Sequence, residues 1–284
     1  KEHQGWIYCT DWACDGKKFA SGDSRGMICI WNYEYGSEIL LYMKIQAHSR
    51  DVKGLVWSPI NENVFASSSL NGEIKLWNDG KEVFSFGKIG SGVPALGWSP
   101  DGKMLAAGIG HMLYVWNIEL GENSVKVRAA EKTAISDQTI TRIIWANDFI
   151  AFSADKILGV LSLKGIYDHN QIWNKKAKYS VNIVSGHKSL IQGLAWSEPE
   201  KKLITGADDS SMRIWKARNP LWNNDWSCVC AIEGASLPVR CVAWSENSKE
   251  IVAGYDDNVL RKWDIIEERC TGVFKGHDNR VKCV

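Results

Sequence analysis

The chain has no excess of charge. Thirty-four Lys and Arg stand against 33 Asp and Glu, a net charge of +1 over 284 residues. A dedicated nucleic-acid binder usually carries a basic excess, so this balance argues against one. It also gives no reason to expect an anionic membrane as partner. No apolar run approaches the roughly 18–20 residues that span a bilayer, so no membrane insertion is expected. The opening Lys1-Glu2-His3-Gln4 is not a signal peptide. It also lacks an initiator Met, which suggests a processed or cropped start.

Cysteine is sparse. Eight residues are too few for a disulfide scaffold. Cys9, Cys29, Cys241 and Cys283 sit in apolar runs, where a free thiol behaves as a small hydrophobe. No Asn-X-Ser/Thr sequon occurs. Together these point inside the cell, to cytoplasm or nucleus. No segment shows a convincing 3.6-residue periodicity, so helix is not expected.

What the chain has in quantity is tryptophan, 15 residues, within a composition 45% apolar and 24% charged that suits a globular fold. The tryptophans are periodic. Trp12, Trp57, Trp98, Trp145, Trp196 and Trp244 recur at spacings of 45, 41, 47, 51 and 48. A second series, Trp31, Trp77, Trp116, Trp215 and Trp263, follows the first by 18 to 20 residues. Only the fourth unit lacks its second Trp, with Leu163 as the expected stand-in.

Each unit reads as four strands. An alternating stretch such as "VKGLVW" or "IQGLAW" ends in the first Trp. A turn follows, "SPDGK" at 99–103 being the clearest. Then come a short apolar strand, a Gly/Asp/Asn turn, a strand ending in the second Trp, and a polar fourth strand. Four strands in 40–50 residues is the pattern of a β-propeller blade. The expected blades are 3–47, 48–91, 92–137, 138–186, 187–236 and 237–275, in one all-β domain over 1–284. Residues 276–284 read as the first strand of a seventh, expected to belong to a seven-bladed ring that is cropped or completed by other chain.

The sequence resembles the WD-repeat (WD40) family. Gly186-His187, Gly276-His277 and Ala47-His48 match its Gly-His element; Trp263-Asp264 matches Trp-Asp, and Trp31-Asn32, Trp77-Asn78 and Trp116-Asn117 are near variants. The resemblance implies a His–Asp–Ser/Thr–Trp hydrogen-bond network inside each regular blade. Unit five offers His187, Asp209, Thr205 and Trp215; unit two offers His48, Asn71, Ser67 and Trp77. Unit one offers His3, Ser21 and Trp31, with Arg25 at the acid's place. Unit six keeps Asp257 and Trp263 without a His. Units three and four lack the network and are expected to be the less regular blades.

Motifs that could carry catalysis are weak. Gly22-Asp23-Ser24-Arg25-Gly26 matches G-x-S-x-G, but it leads into a strand, where a nucleophile elbow needs a helix. Gly108-Ile109-Gly110 lacks the third glycine of a dinucleotide loop. Cys228 and Cys230 form no C-x-x-C, and His111 and His169 have no companion at metal spacing. Asp208-Asp209 and Asp256-Asp257 read as hairpin turns. No cofactor, metal, catalytic residue or small-molecule substrate is expected.

By analogy with the family, the residue six before each first Trp faces partners: Trp6, Asp51, Gly92, Thr139, Leu190, Pro238 and Arg280, with Arg50 beside Asp51. Long inserts add Trp173, Lys175, Lys176 and Lys178, and Trp222 and Trp226, as candidate loop anchors. The leading expectation is a non-catalytic scaffold that holds partner proteins in a multisubunit complex, since aromatic and Arg anchors suit protein interfaces. The alternative is an RNA- or peptide-reading subunit of a ribonucleoprotein or chromatin assembly, through Trp173 and the neighbouring lysines with Arg50 and Arg280. A third reading, a propeller-based enzyme, has no credible nucleophile, base or metal site behind it.

Overall fold

A computed structural model of the chain describes residues 2–90, 92–121, 125–163, 180–218, 225–233 and 237–284. Among them the fold is all-β: six four-stranded antiparallel sheets in strict chain order, the blades of a β-propeller. Blade one runs through Ile7–Trp12, Lys18–Asp23, Met27–Asn32 and Leu40–Gln46. Blade two has Val52–Trp57, Val64–Ser69, Glu73–Asn78 and Lys81–Lys88; blade three has Ala95–Trp98, Met104–Ile109, Met112–Leu120 and Val125–Ala134. Blade four has Ile140–Trp145, Phe149–Ala154, Ile157–Ser162 and Val181–Ser185. Blade five has Ile191–Ser197, Lys202–Ala207, Ser211–Ala217 and Trp226–Glu233; blade six has Val239–Trp244, Glu250–Tyr255, Val259–Asp264 and Arg269–Lys275.

The chain divides into two compact units, Lys1–Ile140 and Thr141–Val284. In each, second strands are buried on both faces; Val64–Ser69 and Phe149–Ala154 are buried at every residue. That burial explains their short continuous apolar runs. Fourth strands are the exposed ones. In the first unit, Ile28 and Ile30 of blade one pack with Val52, Leu55, Trp57 and Phe65 of blade two. Blades two and three pack likewise through Leu76, Leu96, Trp98 and Leu105. In the second unit, Phe149 and Val160 of blade four meet Leu203 and Trp215 of blade five. Ile204 and Ile214 of blade five meet Val239, Val242 and Trp263 of blade six.

Glycine lets neighbouring blades approach. A Cβ at Gly206 would fall 2.5 Å from Val239 Cγ1, and one at Gly22 2.7 Å from Val52 Cγ1. Val281 takes the corresponding place against blade six. A Cβ at Gly254 would lie 2.8 Å from Val281 Cγ1, and Val281 N donates to Tyr255 O at 3.3 Å.

Two expectations change here. Ile150 pairs with Leu161, as Phe65 pairs with Trp77 and Leu203 with Trp215. Leu161, not Leu163, therefore fills the missing tryptophan's register. The turn before the second strand of blade four is shorter than in the other blades and the turn after it is as short as that of blade three, so counting from Trp145 overshoots by two. Trp226 is no loop anchor. It opens the fourth strand of blade five, buried edge-on against Phe149 and Trp196, with ring centroids 5.2 and 6.2 Å away. Its large apolar ring is worth more inside the core than in a loop. Trp173, Lys175, Lys176, Lys178 and Trp222 lie outside the described residues.

Candidate functional site

The candidate face is built by one backbone bond, repeated. The residue before a first strand accepts, through its carbonyl, an N–H from the turn between second and third strands. Ser24 N reaches Trp6 O at 2.9 Å, Leu70 N reaches Asp51 O at 3.0 Å, Asp208 N reaches Leu190 O at 2.9 Å and Asp256 N reaches Pro238 O at 3.3 Å. The bond gathers both segments at one end of each blade. The turns are alike in blades one, two, five and six. Gly26, Gly72, Ser210 and Asn258 adopt left-handed φ of 79°, 89°, 68° and 67°. Glycine has a second reason at position 26, where a Cβ would fall 2.0 Å from His48 O.

In the first unit, Trp6 is 61% exposed, its N–H bonded to Ser24 Oγ at 3.0 Å. Arg50 is exposed, and its carbonyl accepts Ser69 Oγ–H at 3.3 Å. Asp51 pairs with Lys53 at 3.2 Å, and the Lys53 ammonium sits 3.3 Å from the centroid of the Tyr8 ring. Burial, with Asp51 adding to it, pushes the Tyr8 hydroxyl pKa up.

In the second unit the face carries a chain of charge. Arg240 reaches Asp208 of blade five at 2.7 Å and grips Asp256 of its own blade at 2.6 Å through both Nε and Nη2. Arg280 Nε stands 3.6 Å from the same Asp256. Arg240 holds the Asp256 carboxyl below the usual carboxylate range. Leu190, 40% exposed, adjoins this chain through its bond to Asp208.

Behind the face lie the blade networks. In blade five, Trp215 Nε1–H donates to Thr205 Oγ1 at 2.8 Å, and Thr205 is 2.7 Å from His187 Nε2. His187 Nδ1 is 3.0 Å from Asp209 Oδ2. One order of protons satisfies every pair: indole to hydroxyl, hydroxyl to imidazole, imidazole to carboxylate. Burial works to raise the Asp209 pKa. The Lys188 N–H, the Ser211 hydroxyl and N–H, and the His187 ring outweigh it and hold the group at about 2.

Blade two has the same upper half, with Trp77 Nε1 2.8 Å and His48 Nε2 2.7 Å from Ser67 Oγ. The acid differs from the sequence expectation. Glu73, not Asn71, meets His48 Nδ1, at 3.3 Å. Asn71 stands one step out, its Nδ2 donating to Ser49 Oγ at 3.0 Å and its Oδ1 accepting the Glu73 N–H at 3.0 Å. A hydrogen bond to Asn71, then the His48 ring, hold the Glu73 carboxyl below its ordinary range. An amide cannot supply the negative charge that the imidazole N–H favours, and a longer acid from the next strand reaches it.

Blade one is complete where an arginine stood at the expected place. Asp23, ending the second strand, lies 2.8 Å from His3 Nδ1; His3 Nε2 and Trp31 Nε1 lie 2.6 and 2.8 Å from Ser21 Oγ. Asp23 Oδ1 also caps the turn by accepting Arg25 N–H at 2.8 Å. Blade six uses a residue not anticipated: Tyr255 OH accepts the Trp263 indole N–H at 3.0 Å, and Asp257 turns to Arg261. A strand-terminal Asp and Tyr two residues from the network serine's position were the available signals. In blades three and four, Ala107 and Phe152 stand at that position.

The G-x-S-x-G stretch forms the blade-one hairpin turn, with Gly26 N bonded to Asp23 O. Among the described residues no cluster of three or more His, Cys, Asp or Glu could hold a metal, and no helix is long and apolar enough to cross a membrane.

Comparison with known proteins agrees with this architecture. The profile described as "WD domain, G-beta repeat" matches residues 1–32, 40–78, 178–216 and 226–264, just over half of the chain. The matches end on the third strands of blades one, two, five and six, the four whose third-strand tryptophan, among the described residues, keeps a hydrogen-bond partner inside the blade. Among relatives, a zebrafish (Danio rerio) intraflagellar transport protein 122 homolog is 30% identical over 145 residues, 51% of this chain and 11% of that protein. The Schizosaccharomyces pombe WD repeat-containing protein srw1 is 26% identical over 179 residues, 61% of this chain and 29% of that protein. A Caenorhabditis elegans periodic tryptophan protein 2 homolog is 22% identical over 213 residues, 74% of this chain and 21% of that protein. The chain thus spans less than a third of these relatives' length. Repeat, blade network and profile agree: the chain belongs to the WD domain, G-beta repeat family.

Proposed function

We propose that the chain is a non-catalytic scaffold whose face of first-strand entries and second-to-third-strand turns binds partner proteins in a multisubunit assembly. The observation that carries the reading is the make-up of that face. In the first unit these blade ends offer exposed Trp6 and Leu70 as apolar anchors with Arg50 exposed beside Asp51, and in the second unit Leu190 with Arg280 beside Asp256. Such mixtures of aromatic and Arg anchors with a polar surround concentrate binding energy in protein interfaces. The names of relatives support assembly work: one is an intraflagellar transport protein, another a ribosome biogenesis protein. Eight free cysteines fit a reducing compartment, cytoplasm or nucleus.

Affinity capture from native extract tests the reading, with partners identified by mass spectrometry. Wild type is compared with Trp6→Ala/Arg50→Glu/Arg280→Glu and with Ile60→Ser, an exposed residue at the opposite end of blade two. Melting curves first establish that both variants are folded. Defined partners retained by Ile60→Ser and lost by the triple variant are expected. Equal loss from both, or equal retention, overturns the assignment of the face. Co-purifying RNA that leaves on mild salt would replace it with the nucleic-acid reading.

A further inference from the structure

Blade five repeats a geometry of blade six with one partner changed. Arg213 and Arg261 hold the same place in their third strands, opposite Thr205 and Ala253. In blade six the turn acid Asp257 clamps the guanidinium of Arg261 with contacts of 3.0 and 2.5 Å. In blade five the equivalent acid, Asp209, is committed elsewhere: to the His187 ring, to Lys188 N at 2.7 Å and to Ser211 Oγ at 2.7 Å. Arg213 is left with a thiol, Cys228 Sγ, 3.9 Å from its Nη1. Its Nε–H is buried and has no acceptor among the described residues. The residue as a whole is only half-buried, and among the described residues no carboxylate pairs with it, so this guanidinium can meet an anion from outside.

The surroundings suit one. Arg213, Lys188 and Ser210 line an open recess of about 250 Å³ together with Asp209, Ser211 and Glu233. Among the described residues the Lys188 ammonium has no ion pair and the Ser210 hydroxyl no partner. We propose that this recess receives the carboxylate of an acidic side chain from a partner protein. The inference rests on the partner-binding reading above and adds the chemistry of one contact. The fork of Arg213 fits a carboxylate through two N–H groups, as Arg261 does within this chain, and Lys188 supplies a second positive charge. The recess is smaller than most small-molecule sites and suits a single side chain. The equivalent guanidinium in blade six already holds a carboxylate, that of Asp257, so a carboxylate rather than a phosphate is the expected occupant.

Arginine Nε–Hε correlation spectra of the ¹⁵N-labelled protein read the site directly. The probes are acetyl-Gly-Glu-Gly-amide, its Gln counterpart and its phosphoserine counterpart. The Glu peptide is expected to shift the Arg213 signal saturably and leave Arg261 in place. It should bind about tenfold tighter than the Gln peptide, and Lys188→Gln should remove most of that difference. An unmoved Arg213, equal movement of Arg261, equal binding of the Gln peptide, or tighter binding of the phosphoserine peptide overturns the proposal. The peptides need no partner protein. Loss of partner capture by the face variants would leave a positive result here standing, and a negative result here would leave the face standing.

Discussion

Thr205 is a single hydroxyl on which two buried rings depend. It accepts from Trp215, which is 1% exposed, and meets His187, which is buried. Thr205→Val keeps the shape and removes the oxygen, leaving an indole N–H and an imidazole nitrogen unsatisfied. A loss of about 1–3 kcal/mol is expected, seen as a lower urea midpoint with an unchanged slope. A change below about 0.5 kcal/mol would show that water or another group replaces the hydroxyl.

Asp11 acts at the same scale and makes stability depend on pH. It accepts the backbone N–H of Trp57 at 2.5 Å, and burial, against the N–H groups of Trp57 and Trp12, pushes its pKa from 3.8 to about 7. The folded chain therefore binds a proton that the unfolded chain has lost between about pH 4 and 7. Stability from this group is full at the acid end and falls as pH rises through that window. The buried rings of His48 and His187 work the other way. Burial depresses both, and their stability is present above the ordinary imidazole range of about 6.5 and lost as pH falls below it. Asp11→Asn keeps an acceptor for Trp57 and removes the charge. Its stability relative to wild type should rise between pH 5 and 7, by on the order of 2 kcal/mol. A pH-independent difference in denaturation midpoints would contradict this. The network serine, threonine and tryptophans were legible because they recur at fixed offsets. The acids Asp23 and Glu73 were not, since a carboxylate can reach the imidazole from the end of either flanking strand.

At the scale of the strand, register carries the information that residue counting loses. Leu161 and Leu163 are both apolar and two apart, so they share a face, and sequence alone does not separate them. Shortened turns in blade four decide the matter. The same blade puts Phe152 where blades one, two and five carry Ser or Thr, directly opposite Gly159. A Cβ at Gly159 would fall 2.1 Å from the Phe152 ring. Gly159→Ala should therefore destabilise by about 1–3 kcal/mol, as overpacking does, although glycine is ordinarily a poor strand residue. Phe152→Ala should partly rescue it, a non-additivity that a double-mutant cycle measures. Additive losses would mean that the two residues do not meet. The fourth strands were legible only as polar stretches, because exposure leaves them little pattern to show.

At the scale of the whole chain, the four-strand repeat was readable from tryptophan spacing, since each blade must bury the same faces against its neighbours. The chemistry of the candidate face was readable only in part. Trp6, Leu190 and Arg50 stood out as residue types, whereas the Asp208–Arg240–Asp256–Arg280 chain joins residues up to 72 positions apart. The inserts at Trp173 and Trp222 remain sequence-level candidates for further contacts.

The central claim is that partners dock on the end of the blades where Leu190 and Trp6 lie. Site-specific photo-cross-linking tests it most directly, with benzoylphenylalanine placed in turn at Trp6, Leu190 and Ile60 in the full chain in native extract. The account predicts discrete cross-linked proteins at Trp6 and at Leu190, and none at Ile60. Cross-links confined to Ile60, or none at Trp6 and Leu190 in a chain that still co-purifies with its partners, would contradict it.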